Sequence, residues 1–328
     1  EIHSGDWSSD VCSSDLAAYC SRADREPATT GSRSIYLTGT TTHTMRAFRL
    51  AYDGRPFYGF QRQPDVPTVE GTLFEALRSL SVLSADADCP KGYAAAGRTD
   101  AGVSAVAQTV AVECPDWLSP RALNSELPGT IRAWASADVG SDFHATHHAV
   151  RRVYTYYLYA PQQADQSLDG RPPVDDKRAV VALDELCGFH EFHNLTPDDH
   201  GTQRGISGRI TRDGAWLVIE LAAGGFAREL VRRLVSVVRI VATGERPADW
   251  IDDLLGPNPV DPRPPAAPAE PLLLSGVRYP DVDFERDPEA IDSGTVAFGE
   301  RAVEALARGR LSQAVVDRMA GPTADFPE

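Results

Sequence analysis

Lysine is almost absent from this sequence. It occurs only at positions 91 and 177, so nearly all of the 32 basic residues are arginines, which fork onto phosphates and stack on bases. The 47 acidic residues outnumber them and give a formal net charge of −15. That sign is unusual for a chain that binds nucleic acid, because phosphate contacts come from cations. We therefore hypothesise an acidic, solvated surface around an arginine-lined cleft, as in a protein adapted to high salt, where the Debye length falls to ~3 Å at 1 M.

Long apolar runs, metal-ligand patterns and nucleotide loops are missing as well. No apolar stretch approaches the ~20 residues that cross a bilayer, so no membrane association is expected. The five cysteines form no C-x-x-C pair, and His190, His193 and His200 share no helix register. The sequence therefore predicts no metal, no disulfide framework and a reducing cytoplasm. The sequence also lacks a glycine-rich nucleotide-binding motif.

Composition divides the chain into a tail, a body and an extension. The 328 residues are 42% hydrophobic, enough for one large or two modest domains. Residues 1–44 lack hydrophobic periodicity, which predicts a disordered tail. Residues 5–16 resemble the translation of a sequencing-adapter oligonucleotide, so Met45 is expected to be the natural start. Residues 283–328 predict an acidic helical extension packed on the second half of the body.

Capping and turn signals predict the elements of the body. Thr68 and Ser119 precede helical patterns as N-caps, and Asp213-Gly214 is a hairpin signal. Gly244 closes a helix whose predicted apolar stripe is Leu230, Leu234, Val237, Val238 and Val241. The predicted helices cover residues 69–80, 119–127, 183–188, 226–243 and 300–319. The predicted strands cover residues 46–52, 93–96, 103–113, 131–139, 152–159, 206–211, 215–221 and 272–279. Residues 161–179 form a predicted surface loop.

The stretch Gly97-Arg98-Thr99-Asp100-Ala101-Gly102-Val103 lies between two predicted strands. Two glycines bracket an arginine and an aspartate, so the backbone can bend sharply and present both side chains from one loop. A carboxylate beside a guanidinium is held ionised, which suits a nucleophile or a base. Spacing alone favours a simpler interpretation, in which Asp100 bonds its own backbone in a turn.

The same stretch, followed by Ala105, resembles the signature of the TruA family of tRNA pseudouridine synthases. Further segments match other motifs of that family in the same order along the chain. They are Tyr52-Asp53-Gly54, Gly59-Phe60-Gln61-Arg62-Gln63, an LNxxLP-like stretch at 123–128, an FHA element at 143–145, an RxYxY element at Arg152, Tyr154 and Tyr156, a GFLxxMVRxIVG-like stretch at 225–236, and a closing strand at 272–279. The chain departs from the family pattern at Thr146 and Ala227, where Arg and Leu are common.

The resemblance implies an α/β (α+β) fold. Two ferredoxin-like halves would form a continuous, mostly antiparallel sheet with helices on one face and a central RNA cleft. The first half would cover residues 45–141 and carry the Asp100 loop, and the second would cover residues 142–282. The residue patterns indicate the same class, because each half is strand-rich and lays its helices on an antiparallel sheet.

The resemblance also implies roles for individual residues. Asp100 would be the nucleophile or base at the ribose, Arg232 its ion-pair partner, and Tyr154 the residue that packs on the uracil and takes part in proton transfer. Arg98 would occupy the place left by the flipped base. The further predicted RNA contacts are Gln61, Arg62, Gln63, Arg152 and Arg228. Ordinary structural interpretations compete with these roles, because strand aromatics usually pack in a core and helix arginines are usually solvated.

The implied function is the isomerisation of uridine to pseudouridine at positions 38, 39 or 40 of the anticodon stem-loop of tRNA. A cytoplasmic homodimer would carry it out without cofactor or metal, after extracting the base from its stack at a cost of a few kcal/mol. Two alternatives stay open. The chain could be a catalytically inactive tRNA-binding module or chaperone, or it could be a carboxylate-based nucleoside hydrolase that releases free uracil.

Overall fold

The computed structural model describes residues 43–163, 167–168 and 170–320. The predicted tail therefore lies outside the described residues, apart from positions 43 and 44, which open the first strand. The strands are β1 His43–Tyr52, β2 Ala94–Ala95, β3 Ser104–Pro115, β4 Ile131–Asp138, β5 Arg151–Tyr159, β6 Gly188–Glu191, β7 Gln203–Asp213, β8 Trp216–Ala223, β9 Leu272–Arg278 and β10 Glu285–Arg286. The α-helices are α1 Val69–Ser79, α2 Pro120–Glu126, α3 Asp176–Leu186, α4 Leu230–Ala242, α5 Trp250–Leu255 and α6 Pro288–Ala320, with a short 3-10 turn at His193–Leu195.

The strands form one ten-stranded sheet in the order β10-β4-β1-β3-β9-β5-β8-β7-β6, and β2 pairs with β3 beside this path. The first set of strands is β1 to β4, and the second set is β5, β7, β8 and β9. Both sets follow one plan when their strands are counted along the chain. The fourth strand lies beside the first, and the third lies between the first and the second. Helices follow the first and third strands of each set, the βαββαβ plan of a ferredoxin-like unit. The predicted mostly antiparallel α/β sheet is confirmed. A parallel contact between β3 and β9 joins the two sets.

Each set of strands has its own hydrophobic core. In the first, β1 buries Phe48 and Leu50 completely, in agreement with its alternating sequence. In the second, α4 buries the whole of its predicted apolar stripe. That stripe consists of Leu230, Leu234, Val237, Val238 and Val241. Tyr154 packs against both cores, so it lies where the two sets of strands meet.

Side-chain caps mark the starts of four helices, and the first two of these caps were predicted. The Thr68 hydroxyl accepts from the Gly71 amide at 3.2 Å, and the Ser119 hydroxyl accepts from the Ala122 amide at 3.2 Å. The third cap corrects the prediction of a loop over residues 161–179 and a short helix from 183. The Asp175 carboxylate accepts from the Lys177 amide at 2.8 Å, so α3 begins at Asp176.

Helix α4 begins four residues later than predicted. Glu229 lies at φ +59°, in the left-handed region, so the helix begins only after it. Arg228 therefore precedes the helix, although the predicted range of 226–243 includes it. Arg232 itself lies in the first turn of α4.

Helix α6 is longer than predicted and packs on the other half of the body. It begins at Pro288 and lies against β4 and α2 of the first set of strands. Strand β10 pairs with the edge of β4, which carries the chain to that side before the helix starts. Ion pairs then fix the helix, with Arg121 to Asp287 at 3.1 Å and Arg301 to Asp53 at 3.4 Å. The expectation that the extension packs on the second half is wrong.

Among the described cysteines, Cys114 and Cys187 are free. In the same ranges no three His, Cys, Asp or Glu side chains cluster as candidate metal ligands. His190 shares a 2.8 Å hydrogen bond with the Cys187 carbonyl oxygen. No described helix combines the length and apolarity that a membrane crossing requires.

Candidate active site

The Asp100 loop connects β2 to β3 through a tight turn. The Val103 amide donates to the Asp100 carbonyl oxygen at 3.1 Å. Gly102 has φ +84°, a conformation that strains other residues, and its amide donates to the Phe57 carbonyl oxygen at 3.4 Å. The turn is thereby attached to the connection between β1 and α1. The Asp100 side chain is 33% exposed, so its carboxylate is accessible from solvent.

Thr99 anchors the loop from inside the protein. Its hydroxyl shares a 2.8 Å hydrogen bond with the Tyr52 hydroxyl, and its carbonyl oxygen accepts from the Phe60 amide at 3.0 Å. Burial raises the pKa of Tyr52 well above its ordinary value, so this phenol keeps its proton for the bond. Because the residue next to Asp100 is held on both side chain and backbone, the position of the carboxylate is well defined.

Arg232 supplies the positive charge opposite Asp100. Its Nη1 lies 3.1 Å from Asp100 Oδ2, so the predicted ion pair is present. A hydrogen bond from Nε of Arg232 to the Ala267 carbonyl oxygen, at 2.6 Å, also orients the guanidinium. The Ala267 amide in turn donates to the Arg232 carbonyl oxygen at 3.1 Å. The arginine side chain is only 18% exposed. The pair is therefore partly shielded from water, which strengthens its attraction.

Tyr154 lies on β5 beside this pair, between β8 and β9. Its ring meets the edge of Phe226 at a centroid separation of 5.3 Å and an interplanar angle of 87°. The pKa of Tyr154 is raised to about 12, chiefly by burial and then by the negative charge of Asp100, and Arg152 opposes the shift. The phenol is therefore protonated at neutral pH and can donate a hydrogen bond or a proton.

The predicted RNA contacts divide by exposure. Arg98 is exposed on the Asp100 loop, and Gln61, Arg62 and Gln63 are exposed immediately after Phe60, whose amide holds that loop. Arg228 is half-exposed and pairs with Asp198 at 3.3 Å. Arg152 is only 8% exposed, and backbone carbonyl oxygens surround its guanidinium. A phosphate contact through Arg152 stays a prediction, and its burial disfavours it.

Sequence reasoning missed the residues that support the loop. Gln108 donates from Nε2 to the Gly97 carbonyl oxygen at 2.8 Å and is completely buried, as is Thr109 beside it. The available signal was two polar residues inside the apolar run of β3, because buried polar groups need specific partners. The Ala267 carbonyl oxygen carried no signal, since any residue can present a backbone oxygen.

Comparison with known proteins gives consistent matches. A family model described as tRNA pseudouridine synthase matches residues 182–280. The tRNA pseudouridine synthase A of Haloarcula marismortui is 54% identical over 276 residues, which cover 83% of this chain and 99% of that protein. The protein of the same name from Natronomonas pharaonis is 54% identical over 273 residues, 83% of this chain and 98% of that one.

More distant relatives match over most of their length too. The tRNA pseudouridine synthase A of Methanocella arvoryzae is 36% identical over 249 residues, 74% of this chain and 88% of that protein. A solved complex described as Cbf5-Nop10-Gar1 is similar at a TM-score of 0.33 and 11% identity, over 60% of this chain and 44% of that one, which is too low to bear on the fold. On the strength of the sequence matches, the chain belongs to the TruA family of tRNA pseudouridine synthases and is an isomerase of tRNA uridine.

Proposed function

We propose that this protein converts uridine to pseudouridine at positions 38, 39 or 40 of the anticodon stem-loop, and that Asp100 performs the step at the ribose. The observation that carries the proposal is the Asp100–Arg232 ion pair at 3.1 Å, on a loop that stays partly open to solvent. A carboxylate held in one position beside a guanidinium suits either form of the step. The named positions and the residue roles rest on the family resemblance.

The reaction breaks the bond from C1′ to N1 and forms a bond from C1′ to C5 of the same uracil. N1 gains a proton and C5 loses one, so no atom enters or leaves overall. Asp100 acts either as the nucleophile at C1′ or as the base that removes the 2′ proton. In both forms the uracil must stay in place while detached, since escape would turn the isomerase into a hydrolase.

Tyr154 supplies a flat, protonated side chain for this detached base. Its phenol can stack on the uracil and exchange a proton with it, because the hydroxyl remains protonated at neutral pH. Arg98 fills the gap left in the RNA stack, and the exposed Gln61, Arg62 and Gln63 bind the strand beside the Asp100 loop. Arg228 is a further candidate for a phosphate contact.

The test is to incubate the protein with unmodified tRNA and map pseudouridine chemically, comparing Asp100→Asn with the natural chain. We expect the substitution to lower the rate by at least ~10²-fold, because it removes the reacting charge, while tRNA binding changes little. Asp138→Asn is the matched control, since Asp138 also pairs with an arginine, Arg46 at 2.6 Å, and is 66% exposed. Full activity in Asp100→Asn would reject the catalytic role.

The same experiment separates the alternatives. An inactive tRNA-binding module would bind tRNA but form no pseudouridine, and a nucleoside hydrolase would release free uracil that chromatography detects. Pseudouridine found only outside the anticodon arm would contradict the proposed positions. The proposal further includes a homodimer in the cytoplasm, for which sedimentation of the protein with and without tRNA tests the subunit number.

A further inference from the structure

Arg152 is the first residue of the RxYxY element, and its guanidinium is buried with every N–H used. Nε and Nη2 donate to the Ala96 carbonyl oxygen at 2.9 and 2.5 Å, and Nη2 also donates to the Thr146 carbonyl oxygen at 2.7 Å. Nη1 donates to the carbonyl oxygens of Ala149, at 3.3 Å, and Gly224. Five hydrogen bonds account for all five guanidinium donors.

The four carbonyl oxygens belong to three separate parts of the active site. Ala96 immediately precedes the loop that carries Asp100. Thr146 and Ala149 lie in the link between the two sets of strands. Gly224 lies in the connection from β8 to α4, the helix whose first turn carries Arg232. One side chain therefore holds together the backbones on both sides of the Asp100–Arg232 pair.

The partners of Arg152 are unusual for a buried cation. Among the described residues, no carboxylate lies within ion-pair distance of it, and the charge is neutralised by carbonyl dipoles alone. Only arginine presents five donors in one rigid plane, whereas lysine offers three donors on a single atom. The side chain also begins on β5 two residues before Tyr154, and its charge opposes the upward shift of the Tyr154 pKa. Arg152 thus acts on all three members of the site.

We propose that Arg152 is a positioning residue for catalysis, which sets the Asp100 loop against the start of α4, and that it does not bind RNA. This inference rests on the proposed catalytic role of Asp100. Thr146 takes part in the same arrangement, because its hydroxyl donates to the Ala95 carbonyl oxygen at 2.5 Å, in the strand that leads to the loop. Thr146, where Arg is common in the family, therefore adds a hydrogen bond between the link and the strand that leads to the Asp100 loop.

The two possible roles of Arg152 predict different kinetics. Loss of a positioning residue misplaces the reacting groups, which lowers kcat but leaves KM for tRNA nearly unchanged. Loss of a phosphate contact raises KM, and it reduces the slope of log affinity against log salt by about 0.7 to 0.9.

The experiment compares Arg152→Lys and Arg152→Gln with the natural chain, using unmodified tRNA at several salt concentrations. We expect kcat to fall about 10-fold for Lys and about 10²-fold for Gln, with KM and the salt slope unchanged. Arg209→Gln is the control, since Arg209 is exposed and pairs on the surface with Glu220. It should keep kcat.

Three results would overturn the inference. The first is an unchanged kcat in both Arg152 variants, and the second is a raised KM with a reduced salt slope. The third is loss of the near-ultraviolet circular dichroism signal of the folded protein in the Lys variant, which would make Arg152 a general requirement for folding. Asp100→Asn in the same assay keeps the tests separate. If that variant is active, the proposed function fails, whereas normal kcat in the Arg152 variants beside an inactive Asp100→Asn removes only the positioning role.

Discussion

Asp100 and Arg232 lie 132 positions apart in the chain, yet their charged atoms are 3.1 Å apart. Each is oriented by backbone contacts of its own, Asp100 through the turn to Val103 and Arg232 through the Ala267 carbonyl oxygen. The pair is partly shielded, so removing one charge should have a larger effect than the loss of a surface ion pair, which is worth ~0–1 kcal/mol.

At the residue scale we predict that Arg232→Gln lowers kcat by at least ~10-fold, because the Asp100 carboxylate loses the guanidinium that lies 3.1 Å from it and helps to orient it. The measurement is kcat for pseudouridine formation, with Arg239→Gln as the control, since Arg239 lies on the same helix and pairs with Glu245 at 3.2 Å. An unchanged kcat in Arg232→Gln would separate Arg232 from the reacting carboxylate.

The connection after β1 passes directly against the end of the Asp100 loop. A Cβ added at Gly54 would lie 2.0 Å from the Val103 carbonyl oxygen, at the end of the Asp100 loop. The Gly54 amide also donates to the Ser104 hydroxyl at 3.0 Å. Glycine in the Tyr52-Asp53-Gly54 motif is therefore required because another backbone passes directly against it.

At the element scale we predict that Gly54→Ala displaces the Asp100 loop. Both atoms in the clash are attached to backbone, so overpacking should cost about 1–3 kcal/mol of unfolding free energy and lower kcat. Denaturant unfolding and pseudouridine formation measure the two effects. Gly299→Ala is the control, because nothing lies within 4 Å of the added Cβ on the exposed helix α6, and it should keep or slightly raise stability. Equal behaviour of the two variants would refute the close approach.

The whole molecule carries a formal net charge of −15. We predict that Tm rises between about 0.2 and 2 M KCl, because screening weakens the repulsion among acidic side chains. Thermal unfolding by circular dichroism measures it, with trehalose at equal osmolality as the uncharged control. A Tm that falls with KCl, or rises equally in trehalose, would contradict salt adaptation.

Buried tyrosines set the alkaline limit of stability. Burial raises the pKa of Tyr154, Tyr156 and Tyr279 to about 12. An unfolded tyrosine titrates near ~10, so between these values the native state keeps protons that the unfolded state loses. The contribution of these tyrosines to the free energy of unfolding is therefore fully present below about pH 10, and it is lost as pH rises towards 12.

We predict that urea unfolding at a series of pH values shows this fall, and that Tyr156→Phe reduces its slope by roughly one proton. Tyr156 is the suitable position because it is buried. It lies on the same strand as Tyr154 but has no role in the proposed chemistry. An identical slope in the natural chain and the variant would show that tyrosine burial is not the cause.

The sequence by itself determined the features that depend on neighbours within a few residues. The caps at Thr68 and Ser119, the hairpin at Asp213-Gly214 and the apolar stripe of α4 were predicted, because a cap, a turn or a helical face is formed by adjacent groups. The motif around Asp100 also indicated the ion pair with Arg232, through its resemblance to a known family.

Only the tertiary structure decided how distant segments meet. It buried Arg152 among four carbonyl oxygens, excluded Arg228 from α4, and placed α6 on the first set of strands. None of these features has a local signal, since backbone oxygens are present at every residue and a long helix packs against whichever surface its preceding strand reaches. The difference has one physical reason: capping and turn formation are short-range, whereas burial is decided by contacts among segments far apart in the chain.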